Sequence, residues 1–330
     1  MNLEMKPLLS VGVLASLPIL AQSVPPPIID MHLHAVSASS QGPPPVSLCA
    51  PPSGYPPVET GAVWPSTFMS LLKNAPCDHP IRSPLTDSEL MERTLAILKR
   101  RNILAVTSGS LTEQWHKVAP DRIIPALMFN LQPNDPSVSA MRDLFQTGRY
   151  KVLGEVGIQY QGIEPGDPRF APYLALAEEL DVPLAIHIGT GPPGVPYLGA
   201  GAYRARLHSP LILEEPLLRH PKLRVVALHA GWPMLDDTLA MLWTHPQLYV
   251  DVGVISFALP RAAFHNYLRA IVEAGFGKRV VFGSDQMVWP DAVEVAIESI
   301  ESAPFLDSSQ KRDILYNNAA RFLRLAQPPK

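Results

Sequence analysis

The sequence predicts an α/β fold, a (β/α)8 TIM-like barrel with an enlarged Pro-rich loop after its first strand, and three observations predict it. Eight short strand-like runs alternate with helical or loop segments of one crossover's length, and such alternation makes a parallel sheet. Eight units over roughly 300 residues suit a closed barrel better than an open sheet. No Gly-rich phosphate fingerprint follows the first run, as an open dinucleotide-binding sheet would require.

The chain opens with "MNLEMKPLLSVGVLASLPILAQS", a Lys6-bearing head, an apolar run from Pro7 to Ala21 and small residues at Ala21 and Ser23. That pattern predicts a signal peptide over residues 1–23, hence an exported protein, periplasmic or secreted, with residues 24–330 forming a single barrel domain. The apolar run, about 15 residues, falls short of the roughly 20 that cross a bilayer. No later run approaches that length, so the mature chain is expected to hold no membrane span. A formal net charge of −3 and the absence of any Lys/Arg run longer than Lys99–Arg101 argue against nucleic acid held through its phosphates. A small-molecule substrate fits better, with a homo-oligomer left open.

The first barrel run is "IIDMHLHA", with Asp30 and Met31 read as ordinary strand residues beside His32 and His34. After it, residues 35–85 are rich in proline: fourteen of the chain's 37 prolines fall between residues 25 and 84, and no helical or strand periodicity is sustained there. A long loop inside a compact protein is either disordered or an ordered cover, and Tyr55, Trp64 and Phe68 favour the cover. Cys49 and Cys77, the only cysteines, lie in it; an oxidising compartment would let them form a disulfide, and two buried thiols are the alternative.

Regular structure follows. "TDSELMERTLAILKRR" carries the capping-box pair Thr86 and Glu89 ahead of helically spaced apolar residues. Strands are expected at "NILAVTSG", "RIIPALMF", "KVLGEVGI", "VPLAIHIG", "LRVVALHAG", "LYVDVGV" and "RVVFGSD". Between them, "DPSVSAMRDLFQTG", "DPRFAPYLALAEEL", "PMLDDTLAMLWTH" and "RAAFHNYLRAIVEAG" read as helices.

Polar residues close several of these strands: His32 and His34 on the first, Glu155 on the fourth, His187 on the fifth, His229 on the sixth and Asp285 on the eighth. Singly, each reads as a satisfied polar residue, a helix cap or an ion-pair partner. Together they would converge on the C-terminal mouth of a barrel, where such folds build their sites. Imidazoles with carboxylates are a ligand set for a divalent ion, and the two-residue spacing of His32 and His34 turns both to one side. Zinc suits these donors first, then manganese, iron or nickel. Of the remaining histidines, His220 and His245 end helical runs and read as structural. His116 and His265 read as helix-surface residues, and His79 and His208 as loop residues able to approach the mouth.

"HLH", "IHIGTG", "LHAGWP", "FGSD" and the closing "NNAARFL" together resemble the amidohydrolase superfamily. The closer likeness is to its amidohydrolase-related branch, which holds lactonases, other hydrolases and metal-dependent decarboxylases of the aminocarboxymuconate type. The resemblance implies that His32, His34 and Asp285 bind one ion, with His187 completing that site or binding a second ion with His229. In the branch with one ion, His229 is instead a residue behind the ligands or a catalytic one near the metal-bound water. Glu155 stands where members with two ions carry a bridging carboxylated lysine, so one or two ions remain open. The implied chemistry is hydrolysis of a small lactone, ester or amide: an ion lowers the pKa of bound water from 15.7 towards about 7. Asp285 would then shuttle the proton and His229 orient the carbonyl.

Substrate selection would fall to the loops. Arg204 and Arg206, beside Tyr197 and Tyr203, either recognise a carboxylate or are solvated charges. Trp232, Trp289 and Met287 either wall a pocket or pack under loops. The rival readings are a metal-dependent decarboxylase on the same scaffold and a barrel that binds metal or ligand without turnover.

Overall fold

Runs of Val, Ile and Leu suit a pleated, buried backbone, and they form the barrel. In the computed structural model, which describes Met1, residues 25–55, Glu59 and residues 61–325, eight parallel strands run in chain order around one sheet. They are β1 (Ile28–His34), β2 (Ile103–Ser108), β3 (Ile123–Phe129), β4 (Val152–Val156), β5 (Leu184–His187), β6 (Val225–Leu228), β7 (Leu248–Asp251) and β8 (Val280–Val281). Each falls within a run expected from the sequence. The expected signal peptide, save for Met1, lies outside the described residues. Among the described residues no helix is long and apolar enough to cross a membrane.

The ends of the sheet meet through a seam rather than a regular ladder. The Met31 N–H donates to the Phe282 carbonyl at 2.8 Å, and the Asp285 N–H donates to the His32 carbonyl at 2.6 Å. Asp30 stitches the same seam: its Oδ1 accepts from the N–H groups of His32 and Ser284, both at 2.9 Å. Asp30 is therefore no ordinary strand residue. Burial pushes its carboxyl up to about 6 against those hydrogen bonds.

Ile29, Met31, Val106, Ala126, Val152 and Ala185 belong to one buried cluster fed by successive strands, the filling of a small barrel. Ala319, Ala320 and Phe322 of the closing "NNAARFL" join it from below, and Asn318 Nδ2 donates to the carbonyls of Gly277 and Val280 beside them. A second, larger cluster lies between the strands and the surrounding helices, with Trp115, Phe129, Phe170 and Phe264 fully buried in it.

Residues 35–85 show more regularity than the sequence suggests. Trp64–Lys73 forms a helix, α1, opened by Pro65, whose fixed φ suits a first helical turn. Trp64, Phe68 and Leu72 recur along it at helical spacing, and Leu72 is buried. Ser47–Leu48 and Ile81–Arg82 pair antiparallel, and a Cys49–Cys77 disulfide closes the loop between them. Three indole or phenol contacts fasten this cover. Trp64 Nε1 donates to the Pro193 carbonyl at 3.0 Å, Tyr55 Oη to that of Ala258 at 2.6 Å and Trp289 Nε1 to that of Val46 at 3.1 Å. Gly194 is required where Trp64 lands: φ is +69° and a Cβ would lie 1.8 Å from Trp64 Nε1.

The helix that follows, α2 (Asp87–Arg100), takes half of the expected capping box. Thr86 Oγ1 accepts from the Glu89 N–H, but Glu89 Oε2 accepts from Leu85 rather than from the cap residue itself.

Candidate metal centre

His187 reaches the mouth by plain alternation, two residues after the inward Ala185. The other ligand candidates depend on breaks in strand regularity. Ile29 and Met31 already face the interior, so strict alternation would turn His32 and His34 outward. The β1–β2 register shifts between Asp30 and Leu33, and that irregularity reverses the parity. The β4–β5 register likewise shifts between Leu153 and Val156, beside Glu155. His229 and Asp285 turn in through positive φ of 63° and 51°.

The result is a buried cluster in which each carboxylate faces two ways. Glu155 Oε2 lies 3.3 Å from His34 Nε2 and 3.6 Å from His32 Nε2, while its Oε1 lies 2.8 Å from His187 Nδ1 and 3.9 Å from His229 Nε2. Asp285 Oδ1 lies 3.1 Å from His34 Nε2 and 3.7 Å from His32 Nε2, and its Oδ2 is 3.8 Å from His229 Nδ1. Single ligand atoms of His32, His34 and Asp285 lie within 4.8 Å of one another, as do those of His32, Glu155 and His229. His187 belongs with Glu155 and His229, its Nδ1 3.0 Å from His229 Nε2.

The donor set fits a divalent ion on a structural criterion. His32 Nε2 is buried without a hydrogen-bond partner, although its other nitrogen is engaged. A buried imidazole nitrogen left unpaired costs free energy that a ligated ion would offset.

Residues around the cluster hold these imidazoles, and most are absent from the strand-end set read in the sequence. Asp251 Oδ2 pairs with His32 Nδ1 at 3.1 Å, and its Oδ1 accepts from the His229 N–H at 2.6 Å and the Gly253 N–H at 3.2 Å. Gly283 leaves room for that pair, since a Cβ there would lie 2.2 Å from Asp251 Oδ2. The Gly253 carbonyl receives His229 Nδ1 at 3.0 Å, turning Nε2 to the site as the unprotonated nitrogen. Gln286 grips His34 by its backbone, with Oε1 accepting from N–H at 2.9 Å and Nε2 donating to the carbonyl at 2.7 Å. Tyr160 Oη meets His187 Nε2 at 3.3 Å. Asp251 carried a signal: "LYVDVGV" ends an apolar strand on a carboxylate, the same mark that singled out Asp285.

The protonation of the metal-free cluster follows from its charges. Burial lowers the His34 imidazole, but Asp285 and Glu155 more than reverse this and hold it at about 9. His32 is held well above its ordinary value, with burial outweighed by Asp285 and Asp251. Burial and the neighbouring His229 push His187 down despite Glu155. Glu155 stays well below the usual carboxylate range; burial opposes this, and bonds from His187 and the other imidazoles prevail.

The remaining sequence candidates divide. Trp232, Trp289, Met287, Tyr197, Tyr203 and Arg204 line a cavity of about 1410 Å³ that also reaches His34, Glu155, His187, His229 and Asp285. Trp289 does both things expected of it, packing under the cover and lining the cavity. Arg206 is exposed and does not line that cavity, because Leu207 and His208 take the inward positions of its 3-10 turn. His208 is fully buried, its ring stacked on Tyr203 at 4.3 Å and edge-on to His187 at 5.1 Å; His79 is exposed and lies off the cavity. His116 and His265 are half-buried rather than surface residues, bonded to the carbonyls of Ile123 and Ser299. His220 and His245 stand at helix C-caps as expected.

Comparison with solved structures places this barrel among similar ones. An uncharacterized TIM-barrel protein from Bordetella bronchiseptica is 18% identical, with a TM-score of 0.57 over 90% of this chain and 98% of that one. A probable 2-pyrone-4,6-dicarboxylic acid hydrolase from Acinetobacter baumannii is 17% identical, with a TM-score of 0.53 over 90% and 99%. The 5-carboxyvanillate decarboxylase of Sphingomonas paucimobilis is 16% identical, with a TM-score of 0.54 over 91% and 99%. Among curated sequences, Protein fluG of Emericella nidulans is 23% identical over 162 residues, 44% of this chain; the match spans only 18% of that longer protein. A family model described as amidohydrolase matches residues 29–325, and with that match this chain belongs to the amidohydrolase family, whose members are metal-dependent enzymes.

Proposed function

We propose that the chain hydrolyses the carbonyl of a lactone, ester or amide with the help of one or two divalent ions, zinc foremost. The observation that carries this reading is the two-faced placement of Glu155 and Asp285 between the His32–His34 pair and the His187–His229 pair. Glu155 faces both pairs, so the cluster would suit two ions as readily as one. His32, His34 and Asp285 would hold the first; Glu155, His187 and His229 would hold the second. A divalent ion in this cluster supplies a more acidic water and a carbonyl drawn towards negative charge.

The chain's own groups supply the remainder. Asp285, buried and held below its usual carboxylate range by His32 and His34 although burial opposes it, is ionised at neutral pH. Asp285 would take the proton of an attacking water and return it to the leaving group. His229, its Nδ1 committed to Gly253, presents Nε2 towards the carbonyl or an ion. The cover helix α1 and the loop after β5 enclose the mouth and limit bulk water there.

A Cys49–Cys77 bridge persists in an oxidising compartment, which supports the proposal of an exported protein. The name of one structural neighbour is that of a hydrolase and of another a decarboxylase, so the test must separate the two reactions. Lactones, esters and N-acyl compounds are offered to zinc- and manganese-loaded protein in ¹⁸O-water. One ¹⁸O atom in the acid product is expected, and Asp285→Asn, tested at equal metal content, lowers kcat by about 10²–10⁴-fold. Carbon dioxide release from a carboxylated substrate without ¹⁸O uptake would replace hydrolysis by decarboxylation.

A further inference from the structure

We propose that the substrate is bulky, uncharged and largely apolar, a carbonyl compound carrying an aromatic or hydrocarbon body that fills the space between the barrel mouth and the disulfide-closed cover. The orientation of its carbonyl rests on the hydrolase reading; its size and polarity rest on the cavity.

Size comes first. Pockets for drug-sized ligands run to about 300–1,000 Å³, and this one is about 1410 Å³. A small acid would occupy only the ligand end and leave the remainder filled with water against apolar walls.

Those walls come from two separate parts of the chain. Leu48, Trp64, Phe68 and Leu71 descend from the cover, and Trp232, Ile255, Phe257 and Met287 rise from loops at the barrel mouth. Phe257 is fully buried, so it backs this wall rather than facing the space and fixes the wall before any ligand arrives. The cover is held at Trp64 to Pro193, at Tyr55 to Ala258 and at the Cys49–Cys77 bridge, so the apolar surfaces face each other across a fixed gap.

The lining of the walls decides against an acid substrate. Among the described residues lining the cavity, Arg204 is the one Lys or Arg. It is exposed, and its Nη1 already donates to the carbonyls of Gly201 and Tyr203. At the reacting end an ion held by Glu155, Asp285 and the imidazoles would offset the two carboxylates, so the choice against an acid rests on the walls above it. Arg204 apart, no described residue farther up the walls offers a cation for one.

The test separates binding from turnover. Zinc-loaded protein is titrated with unreactive phenyl alkyl ketones from acetophenone to octanophenone, following the emission of Trp64, Trp232 and Trp289 in the cavity wall. At about 0.8 kcal/mol per buried methylene, Kd should tighten about 4-fold per carbon at first and then level off as the walls fill. A homologue ending in a carboxylate should bind at least 10-fold more weakly than its neutral counterpart. Phe68→Asp should reduce the octanophenone-to-acetophenone affinity ratio at least 10-fold, and Phe68→Leu should restore most of it; an unchanged rate of trypsin cutting after Lys73 in both variants shows that the cover still folds. A flat series, or tighter binding of the carboxylate, overturns the proposal. Ketones that bind in this graded way while no ester, lactone or amide is cleaved would sustain the substrate class and remove the hydrolase reading. Cleavage confined to short or carboxylated esters would do the reverse.

Discussion

His32 is held from behind. Asp251 fixes its Nδ1 and, through a second oxygen, the backbone of His229, so one carboxylate sets the aim of two ligand candidates on different strands. Outer partners of this kind fix the ring tautomer and raise the basicity of the ligating nitrogen. Asp251→Asn keeps the shape but removes the charge, and an amide can present either its oxygen or its NH2 to the ring. The expected result is zinc affinity reduced by about 10–100-fold, read by competition with a chromogenic chelator. An affinity unchanged within 2-fold would mean that Asp251 serves only the backbone.

At the scale of elements, the excursion after β1 decides what the barrel can admit, and its order depends on a covalent link. Cys49 and Cys77 are 28 residues apart in sequence, and closing a loop of that length removes about 3–4 kcal/mol of unfolded-chain entropy in the polymer picture. The bridge spans only the cover, so its loss should free α1 rather than unfold the barrel. In a Cys49→Ser/Cys77→Ser variant, trypsin should cut after the exposed Lys73 on the order of 10²-fold faster. The barrel fragment should remain whole on the gel. Equal cutting rates would show that Trp64, Tyr55 and Trp289 hold the cover without it.

On the scale of the whole molecule, the barrel was legible because its strands are short, largely apolar runs, and the ligand cluster because each member stands at or near the end of one. What the sequence could not show is how the chain reaches those ends. Alternation alone, counted from Ile29 and Met31, turns His32 and His34 away from the interior, and only the register shift after Asp30 brings them back. Positive φ at His229 and Asp285 leaves no trace in composition, because neither is glycine. The roles of Asp30 and Asp251 are hidden for a different reason: their partners lie 254 and 219 residues away, and only the closed barrel brings them together. The helix α1 was hidden by the prolines around it, one of which starts it.

The same cluster links stability to metal and to pH. In metal-free protein the carboxylates are balanced by protons on the imidazoles, His34 holding its own up to about 9 against an ordinary value of 6.5. A raised folded-state pKa adds stability that is fully present below about 6.5 and is lost as pH climbs through about 9. Bound metal needs those nitrogens unprotonated, so its hold strengthens over the same interval. The gap in melting temperature between zinc-loaded and chelated protein should therefore widen as pH rises from 6.5 to 9. With free zinc near 1,000 times Kd the stabilisation is about 4 kcal/mol, which for a chain of this length is a shift of about 6 °C. Differential scanning fluorimetry across that range, with and without chelator, measures it. A gap that is constant or narrows with pH would show that protons and metal do not compete for His32 and His34, and the metal would then have to sit elsewhere.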